Sequence, residues 1–194
     1  MKIAVFNGKG GVGKSTIAAN LAVLANCTLL DADPQATCCY WHDRRKTKQP
    51  EVLDVSLGRV GVRIQGLDRV VVDLPGATVP GIQEALKAVD TIVIPVTYDQ
   101  ACIDALPVTL ELIHSCNRRS VIVLNRIHPR TTIELISETF TKLESTICPH
   151  PLRERVGHRD WWAKGEVAAD HLREVANQEV KSIWQWLQNF APGN

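Results

Sequence analysis

The chain has 194 residues, of which 45% are hydrophobic, and it carries 22 basic against 21 acidic side chains. This content suffices for one substantial core, so we expect residues 1–194 to form a single domain. The near balance of charge excludes a general attraction to nucleic acid or membrane and leaves only local patches for such binding. Because no apolar run suits a signal peptide or a membrane span, the sequence predicts a cytoplasmic protein. Its six cysteines contain no C-x-x-C pair and are expected to be reduced thiols, not metal or cluster ligands.

Short apolar runs alternate with segments of helical length along the chain. This alternation predicts an α/β fold with a mostly parallel, twisted sheet and helices on both faces. Strands are predicted at Lys2–Asn7, Cys27–Ala32, Val52–Ser56, Arg69–Asp73, Thr91–Val96, Ser120–Asn125 and Thr146–Cys148. Helices are predicted at Ser15–Ala25, from a start at Asp104 with Pro107 in the first turn, and from about Ala168 to Phe190.

A phosphate-binding loop follows the first predicted strand in the stretch "FNGKGGVGKST". The pattern G-x-x-x-x-G-K-[ST] is complete, and its glycines allow backbone amides to converge on phosphates at the start of a helix. In this pattern Lys14 reaches the terminal phosphates and the Ser15 hydroxyl reaches Mg²⁺. The loop therefore predicts nucleotide binding, but it holds a second lysine, Lys9, that the pattern does not need.

Carboxylates follow two further predicted strands. Asp73 ends the apolar strand in "VVVDLPG", where it can hold Mg²⁺ through water opposite Ser15. Asp31 and Asp33 lie at the end of the second strand in "LLDADPQAT". Because ligands of such sheets bind beyond the carboxyl ends of the strands, all three carboxylates are expected near the phosphates.

These three stretches carry a family resemblance that covers nearly the whole chain. "KGGVGKST", "DADPQ" and "VVVDLPG" resemble the deviant Walker A, Walker A′ and Walker B elements of the ParA/MinD family of ATPases. In that family two subunits sandwich two ATP molecules, and the lysine early in the loop reaches the partner's nucleotide. The resemblance implies this role for Lys9, which would stabilise charge in the transition state as an arginine finger does.

The resemblance also implies roles for single residues. Lys9, Lys14 and Asp33 would be catalytic, with Asp33 orienting the attacking water, and Ser15 and Asp73 would hold Mg²⁺. In "VLNR", Asn125 matches an asparagine that recognises adenine, although a cap at the end of a strand is an open alternative. The implied nucleotide-binding set is Gly8, Lys9, Gly10, Gly11, Val12, Gly13, Lys14, Ser15, Thr16 and Asn125.

DNA binding is implied through the stretch "PLRERVGHRDWWAKG". No helix-turn-helix segment precedes the first strand, so we expect binding that is indifferent to DNA sequence. The candidates are Arg153, Arg155, Arg159 and Lys164, with Arg155 best aligned to the family; an ordinary solvated loop is the open alternative. A second basic run, "DRRKTK" at Asp43–Lys48, is expected to be merely solvated.

The sequence thus predicts a ParA-like ATPase with ATP and Mg²⁺ as cofactors, a homodimer in the ATP state, located on the nucleoid. Its expected partners are nonspecific DNA and a ParB-like or other activator protein linked to a cargo, such as a plasmid, a mobile element or a protein assembly. The main alternative is a MinD-like membrane-associated positioning ATPase. Membrane binding is not expected, because the apolar face of "VKSIWQWLQNF" lacks flanking basic residues after Lys181 and is predicted to pack on the sheet. An amidotransferase-like synthetase would leave "DADPQ" and Lys9 without a purpose, and an electron-transfer ATPase would need cluster-binding cysteines.

Overall fold

Parallel strands form the centre of the computed structural model, which describes residues 1–132, 136, 140 and 145–190. The strands are β1 (Lys2–Val5), β2 (Thr28–Asp31), β3 (Val52–Asp54), β4 (Val70–Asp73), β5 (Thr91–Val96), β6 (Arg119–Ile127), β7 (Thr146–Ile147) and β8 (Leu152–Arg153). The helices of the described residues are α1 (Lys14–Ala25), α2 (Thr37–Arg44), α3 (Val60–Arg63), α4 (Ile82–Lys87), α5 (Gln100–Ser115), α6 (Val156–Ala163) and α7 (Val175–Phe190). Short 3₁₀ turns lie at Leu57–Arg59 and Ala168–Asp170.

The strand order brings the three predicted motifs together. The strands run β3-β2-β4-β1-β5-β6-β7, with β8 paired to β6, and each pairing is parallel. The register places Asp73 opposite both Val5 and Asp31. The loops after β1, β2 and β4 therefore leave the same edge of the sheet side by side, at the point where the order changes direction. In such sheets this is the ligand-binding position, and the predicted α/β fold is confirmed.

Two apolar cores cover the two faces of the sheet. One contains the inward faces of α3, α4 and α5, and the other contains those of α1, α2 and α7. Alternate residues of β1 divide between them, with Ala4 in the first core and Ile3 in the second, as the period of a strand requires. Each face of the sheet is buried, which explains why the strands are continuous apolar runs.

The amphipathic face of α7 packs inward, as predicted. The four residues that carry this packing are buried: Val180, Ile183, Trp184 and Leu187. Trp186, which lies off that face, stacks on Phe190 with a ring separation of 5.0 Å. Among the described helices none is long and apolar enough to cross a membrane.

The predicted start of the fifth helix was wrong. Helix α5 begins at Gln100, where the Asp99 carboxylate accepts a hydrogen bond from the Cys102 amide at 3.0 Å, and Pro107 lies inside the helix. Proline costs a helical hydrogen bond at that position. The apolar face of α5 offsets this cost, because Cys102, Leu106 and Leu110 are buried at helical spacing.

The predicted start of the last helix was also wrong. Ala168–Asp170 forms a 3₁₀ turn, and α7 begins only at Val175. The Asp170 carboxylate accepts the Val167 amide at 2.9 Å, and the Asn177 side chain donates to the carbonyls of Ala168 and Ala169. These local hydrogen bonds compete with a continuous helix. The sequence prediction also missed α6, which it treated as a charged loop.

Candidate nucleotide-binding site

The phosphate-binding loop connects β1 to α1 in a conformation that requires glycine. Gly11 and Gly13 have φ angles of +79° and +89°, which other residues adopt only with strain. A Cβ atom on Gly13 would lie 2.2 Å from the Asn125 amide nitrogen. The loop therefore turns tightly against the end of β6 and opens onto the first turn of α1, where unpaired backbone amides favour phosphate.

Lys14 lies in a cleft of about 800 Å³ that is lined by the loop and by the segments after β2 and β4. Its ammonium group donates to the Lys9 carbonyl at 3.3 Å, and the side chain is buried. Burial lowers the pKa of Lys14, while the charges of Asp73 and Asp33 raise it. A Cβ atom on Gly76 would lie 2.6 Å from the ammonium, so the glycine of "DLPG" leaves room for this lysine. No sequence motif marks Gly76 for this role.

Lys9 lines a different cleft. It faces a smaller space of about 280 Å³ together with Tyr98 and Asp99. The hydrogen bond from Thr97 is the main cause of a lowered pKa at Asp99, and the positive charge of Lys9 adds to it. The two lysines of one loop thus diverge: Lys14 enters the large cleft and Lys9 lies beside it, towards solvent.

Asp73 is fully buried at the floor of the large cleft. Its Oδ2 atom accepts from the Cys38 thiol at 3.2 Å, whereas Oδ1 has no hydrogen-bond partner among the described residues. Burial raises the pKa of Asp73 to about 7, although the nearby Ser15 hydroxyl lowers it in part. A buried carboxylate oxygen without a partner, close to a serine hydroxyl, matches the oxygen chemistry that Mg²⁺ prefers. In the described part of the chain no three acidic, histidine or cysteine side chains are arranged to hold a metal ion by themselves, so phosphate and water oxygens would complete the site.

Asp31 organises the loop after β2. One carboxylate oxygen accepts the backbone amides of Cys38 at 2.8 Å and Cys39 at 3.0 Å, and the other accepts the Asp33 amide at 3.2 Å. These three bonds fix the start of α2 and turn Asp33 into the large cleft, which it lines. Burial raises the pKa of Asp31, and the same backbone hydrogen bonds lower it.

Asn125 holds the phosphate-binding loop in place. Its buried side-chain amide donates to the Val12 carbonyl at 2.7 Å, across the interface between β6 and the loop. The same residue lines the large cleft, at the end where Arg126 and the start of α6 form the wall. The structure shows the anchoring contact, and adenine recognition by Asn125 stays a prediction.

The four basic candidates of the DNA-binding segment have different environments. The Arg153 guanidinium donates to the carbonyls of His128, Pro129 and Thr131, each at 3.1 Å. Arg155 forms an ion pair with Glu179 of α7. Arg159 and Lys164 are exposed, and within the described ranges neither has a hydrogen-bond or ion-pair partner. Only the latter two are free to meet a ligand, while Arg155 joins α6 to α7.

The basic run at Asp43–Lys48 is not merely solvated, and that prediction was wrong. Arg45 is buried, pairs with Asp170 at 2.6 Å and donates to the Gly165 carbonyl at 2.9 Å. Trp41 of α2 stacks on Trp162 of α6 with a ring separation of 5.6 Å. No sequence motif signals these contacts, since they join segments more than a hundred residues apart.

The sequence of this chain matches a known family over most of its length. A family model described as "CobQ/CobB/MinD/ParA nucleotide binding domain" matches residues 3–166. The chain belongs to this ParA/MinD family. The predicted resemblance is thereby confirmed, and the assignment of the large cleft as the nucleotide site stays a prediction.

Two relatives of this chain carry the same name. "Maintenance of carboxysome distribution protein A" of Gloeobacter kilaueensis is 34% identical over 163 residues, covering 75% of this chain and 72% of the relative. The protein of the same name from Halothiobacillus neapolitanus is 27% identical over 208 residues, covering 93% and 96%. An ATP complex of a McdA variant from Cyanothece superposes with a TM-score of 0.76 at 14% identity, covering 96% of each chain. At that identity the likeness shows the fold alone.

Proposed function

We propose that this chain is a Mg²⁺-dependent ATPase that dimerises around ATP and positions a cargo on DNA. The observation that carries this proposal is the divergence of the two lysines in the phosphate-binding loop. Lys14 lies buried in the cleft of its own subunit, whereas Lys9 lies outside that cleft with its charge towards Asp99. A cation held beside the cleft but not within it is suited to a nucleotide bound by a second subunit.

Each residue of the cleft has its own role in binding and hydrolysing ATP. Lys14 neutralises the terminal phosphates, and Thr16 in the first turn of α1 contacts the α-phosphate. Asp33, turned into the cleft by the Asp31 bonds, orients the attacking water. Because phosphoryl transfer depends on positioning and on stabilising charge, Lys9 of a second subunit completes the site only in a dimer. Hydrolysis is thereby tied to dimerisation.

Mg²⁺ fits the corner formed by Ser15 and Asp73. When bound, it neutralises developing charge on the phosphate oxygens. The Ser15 hydroxyl would supply one oxygen ligand, and Asp73 Oδ1, which has no hydrogen-bond partner among the described residues, would accept a hydrogen bond from a water on the metal. The Cys38 thiol occupies Oδ2, which leaves Oδ1 as the oxygen directed to this task.

The relatives favour a protein assembly as the cargo. Two of them are named for maintaining carboxysome distribution. We propose that this chain positions a protein compartment of that class, with plasmid or mobile-element partition as the second candidate. It would act in the cytoplasm on the nucleoid, holding nonspecific DNA in the ATP state and releasing it when a cargo-linked activator stimulates hydrolysis.

The membrane-positioning alternative finds little support in α7. Its apolar residues Ile183, Trp184 and Leu187 are buried in the second core and are not available to a bilayer. An interfacial helix needs an exposed apolar face beside basic residues. In α7 the apolar face is turned into the core, and Lys181 is the one basic residue of the helix.

Hydrolysis by wild type and by Asp33→Ala tests the proposal. The variant should bind ATP with unchanged affinity while phosphate release falls by about two orders of magnitude or more, since a contact needed in the transition state is lost. Asp54→Ala, which removes an exposed carboxylate at the end of β3, is the matched control and should hydrolyse ATP like wild type. Loss of ATP binding in folded Asp33→Ala protein, or unimpaired hydrolysis, would contradict the assigned role.

A further inference from the structure

Two basic runs that are far apart in the sequence lie next to each other in the fold. The run at the end of α2 contains Arg44, Lys46 and Lys48. On the other side, α6 carries Arg159, which also lines the large cleft, and Lys164 follows directly after α6. All five side chains belong to residues that are exposed. We propose that they form one surface, here called the α2–α6 basic surface, and that this surface contacts the phosphates of duplex DNA. The inference rests on the DNA binding included in the proposed function and assigns it to residues outside the family-aligned candidate.

Backbone packing brings the two runs together. A Cβ atom on Gly165 would lie 2.4 Å from the Arg45 nitrogen and 2.5 Å from the Arg44 carbonyl carbon. Gly165 has a φ angle of +75°, so glycine is required both by space and by conformation. Lys164 and Lys46 are each one residue away from this contact. Their flexible side chains therefore emerge from neighbouring points of the surface.

Buried contacts beneath the surface fix the two runs relative to each other. The Arg45 guanidinium binds both the Asp170 carboxylate and the Gly165 carbonyl, and the Trp41 ring stacks on Trp162. Arg44 also donates to the Trp162 carbonyl at 3.4 Å. Arg45 is itself buried, and its hydrogen bonds reach the segment after α6 from the end of α2. Its effect here is to hold α2 and α6 as one unit.

The charge of the surface is positive after its acidic groups are considered. Asp43 and Asp160 are exposed among the five cations. Asp170 is paired with Arg45, and Glu166, beside a neutral His171, adds a third negative charge, so the five cations leave an excess of two positive charges. Lys48 donates to the carbonyls of α2 at His42 and Asp43, which keeps its ammonium at the edge of the surface. A local excess of basic groups can attract a polyanion although the whole chain is nearly neutral.

The chemistry of the surface suits DNA better than a lipid bilayer. Of its aromatic side chains, Trp41 is fully buried and Trp162 stacks on it, while Tyr40 is a single exposed ring and not an apolar face. Binding within a lipid interface needs an exposed apolar face. The surface has flexible lysine and arginine side chains but no helix or strand that projects from it to enter a DNA groove, so it would contact phosphates. Phosphate binding is independent of DNA sequence and weakens as salt increases.

The test measures the anisotropy of a labelled duplex of arbitrary sequence with full-length protein, Mg²⁺ and a non-hydrolysable ATP analogue, across a salt titration. The variants are Lys46→Gln and Lys164→Gln. Lys87→Gln, an exposed lysine of α4 on the opposite face of the sheet, is the matched control. Each lost phosphate contact should reduce the slope of log affinity against log salt concentration by about 0.9. Between about 1 M and about 0.1 M salt, the affinity of such a variant should therefore rise by roughly eightfold less than that of wild type.

We expect both surface variants to show this loss, with thermal melts like that of wild type, and the control to bind normally. A loss in Lys164→Gln with normal binding by Lys46→Gln would overturn the joined surface while leaving the proposed function intact. Wild-type protein that binds no duplex in the analogue state would instead refute DNA binding itself and, with it, this inference. Analogue-dependent binding of wild type to anionic vesicles but not to DNA, reduced in Lys46→Gln, would assign the surface to lipid headgroups and equally overturn the proposal.

Discussion

Replacing the buried carboxylate Asp73 with asparagine should change how the stability of the nucleotide-free protein depends on pH. Burial raises the pKa of Asp73 from 3.8 to about 7 in the folded state. The folded protein therefore holds a proton that the unfolded chain releases between these values, and stability is lost as the pH rises through about 7. The full effect is about 4 kcal/mol, of which about 2 kcal/mol is lost between about pH 5.5 and about pH 8.

Urea unfolding at these two pH values, without Mg²⁺ or nucleotide, measures the effect. From about pH 5.5 to about pH 8, the free energy of unfolding of wild type should fall by about 2 kcal/mol more than that of Asp73→Asn. The asparagine amide cannot ionise, so the variant lacks this loss. Asp68→Asn, at an exposed position, is the control and should follow wild type. Equal pH dependence in wild type and Asp73→Asn would refute the reasoning, since it would mean that Asp73 is hydrated or paired well enough to ionise as in the unfolded chain.

Three further predictions concern contacts that hold the site together. Asn125→Ala removes the hydrogen bond to Val12 and should weaken ATP binding by about fivefold, or about 1 kcal/mol, in calorimetric titration; unchanged affinity would show that the loop needs no anchor. Arg45→Met removes a buried guanidinium and its hydrogen bonds to Asp170, whose side chain is 24% exposed, and should cost about 1.5–3 kcal/mol in urea unfolding, whereas a loss below about 0.5 kcal/mol would contradict a structural role for the pair. Gly165→Ala should destabilise by more than about 2 kcal/mol through its positive φ and the contact with Arg45, and a neutral result would contradict the close approach of the two runs.

Local sequence patterns predicted well that the structure brings the three motifs to one edge of the sheet. The phosphate-binding loop, "DADPQ" and "VVVDLPG" each combine a strand with a polar end, and parallel strands necessarily bring such ends to one edge. The strand register that places Asp73 beside Asp31 and Val5 follows from this rule. The buried position of Lys14 follows from the loop pattern itself.

Element boundaries were harder to predict where side chains compete with backbone hydrogen bonds. Pro107 indicated a helix start, but the buried apolar face of α5 and the Asp99 cap place the start earlier. The side chains of Asp170 and Asn177 form hydrogen bonds with backbone groups that would pair with each other in a longer last helix. Such contacts depend on tertiary neighbours and leave no local periodicity.

Contacts between distant segments were not predictable from one sequence. Arg45 sits in a run of exposed basic residues and differs from them only through its partner Asp170, 125 residues further along the chain. Cys38 likewise has no motif, although its thiol contacts the Asp73 carboxylate. Both contacts arise because α2 packs against α6 at the side of the large cleft, a placement that only the fold supplies.

The central claim is that Lys9 acts across a dimer interface, and sedimentation of two variants with Mg²⁺ and ATP tests it most directly. Asp33→Ala should bind ATP without hydrolysing it and sediment as a dimer of the 21.5 kDa chain. The double variant Lys9→Ala/Asp33→Ala should bind ATP equally well but sediment as a monomer, because each nucleotide lacks the lysine of the second subunit. A double variant that still dimerises with ATP would contradict the account and reduce Lys9 to a solvated residue of the loop.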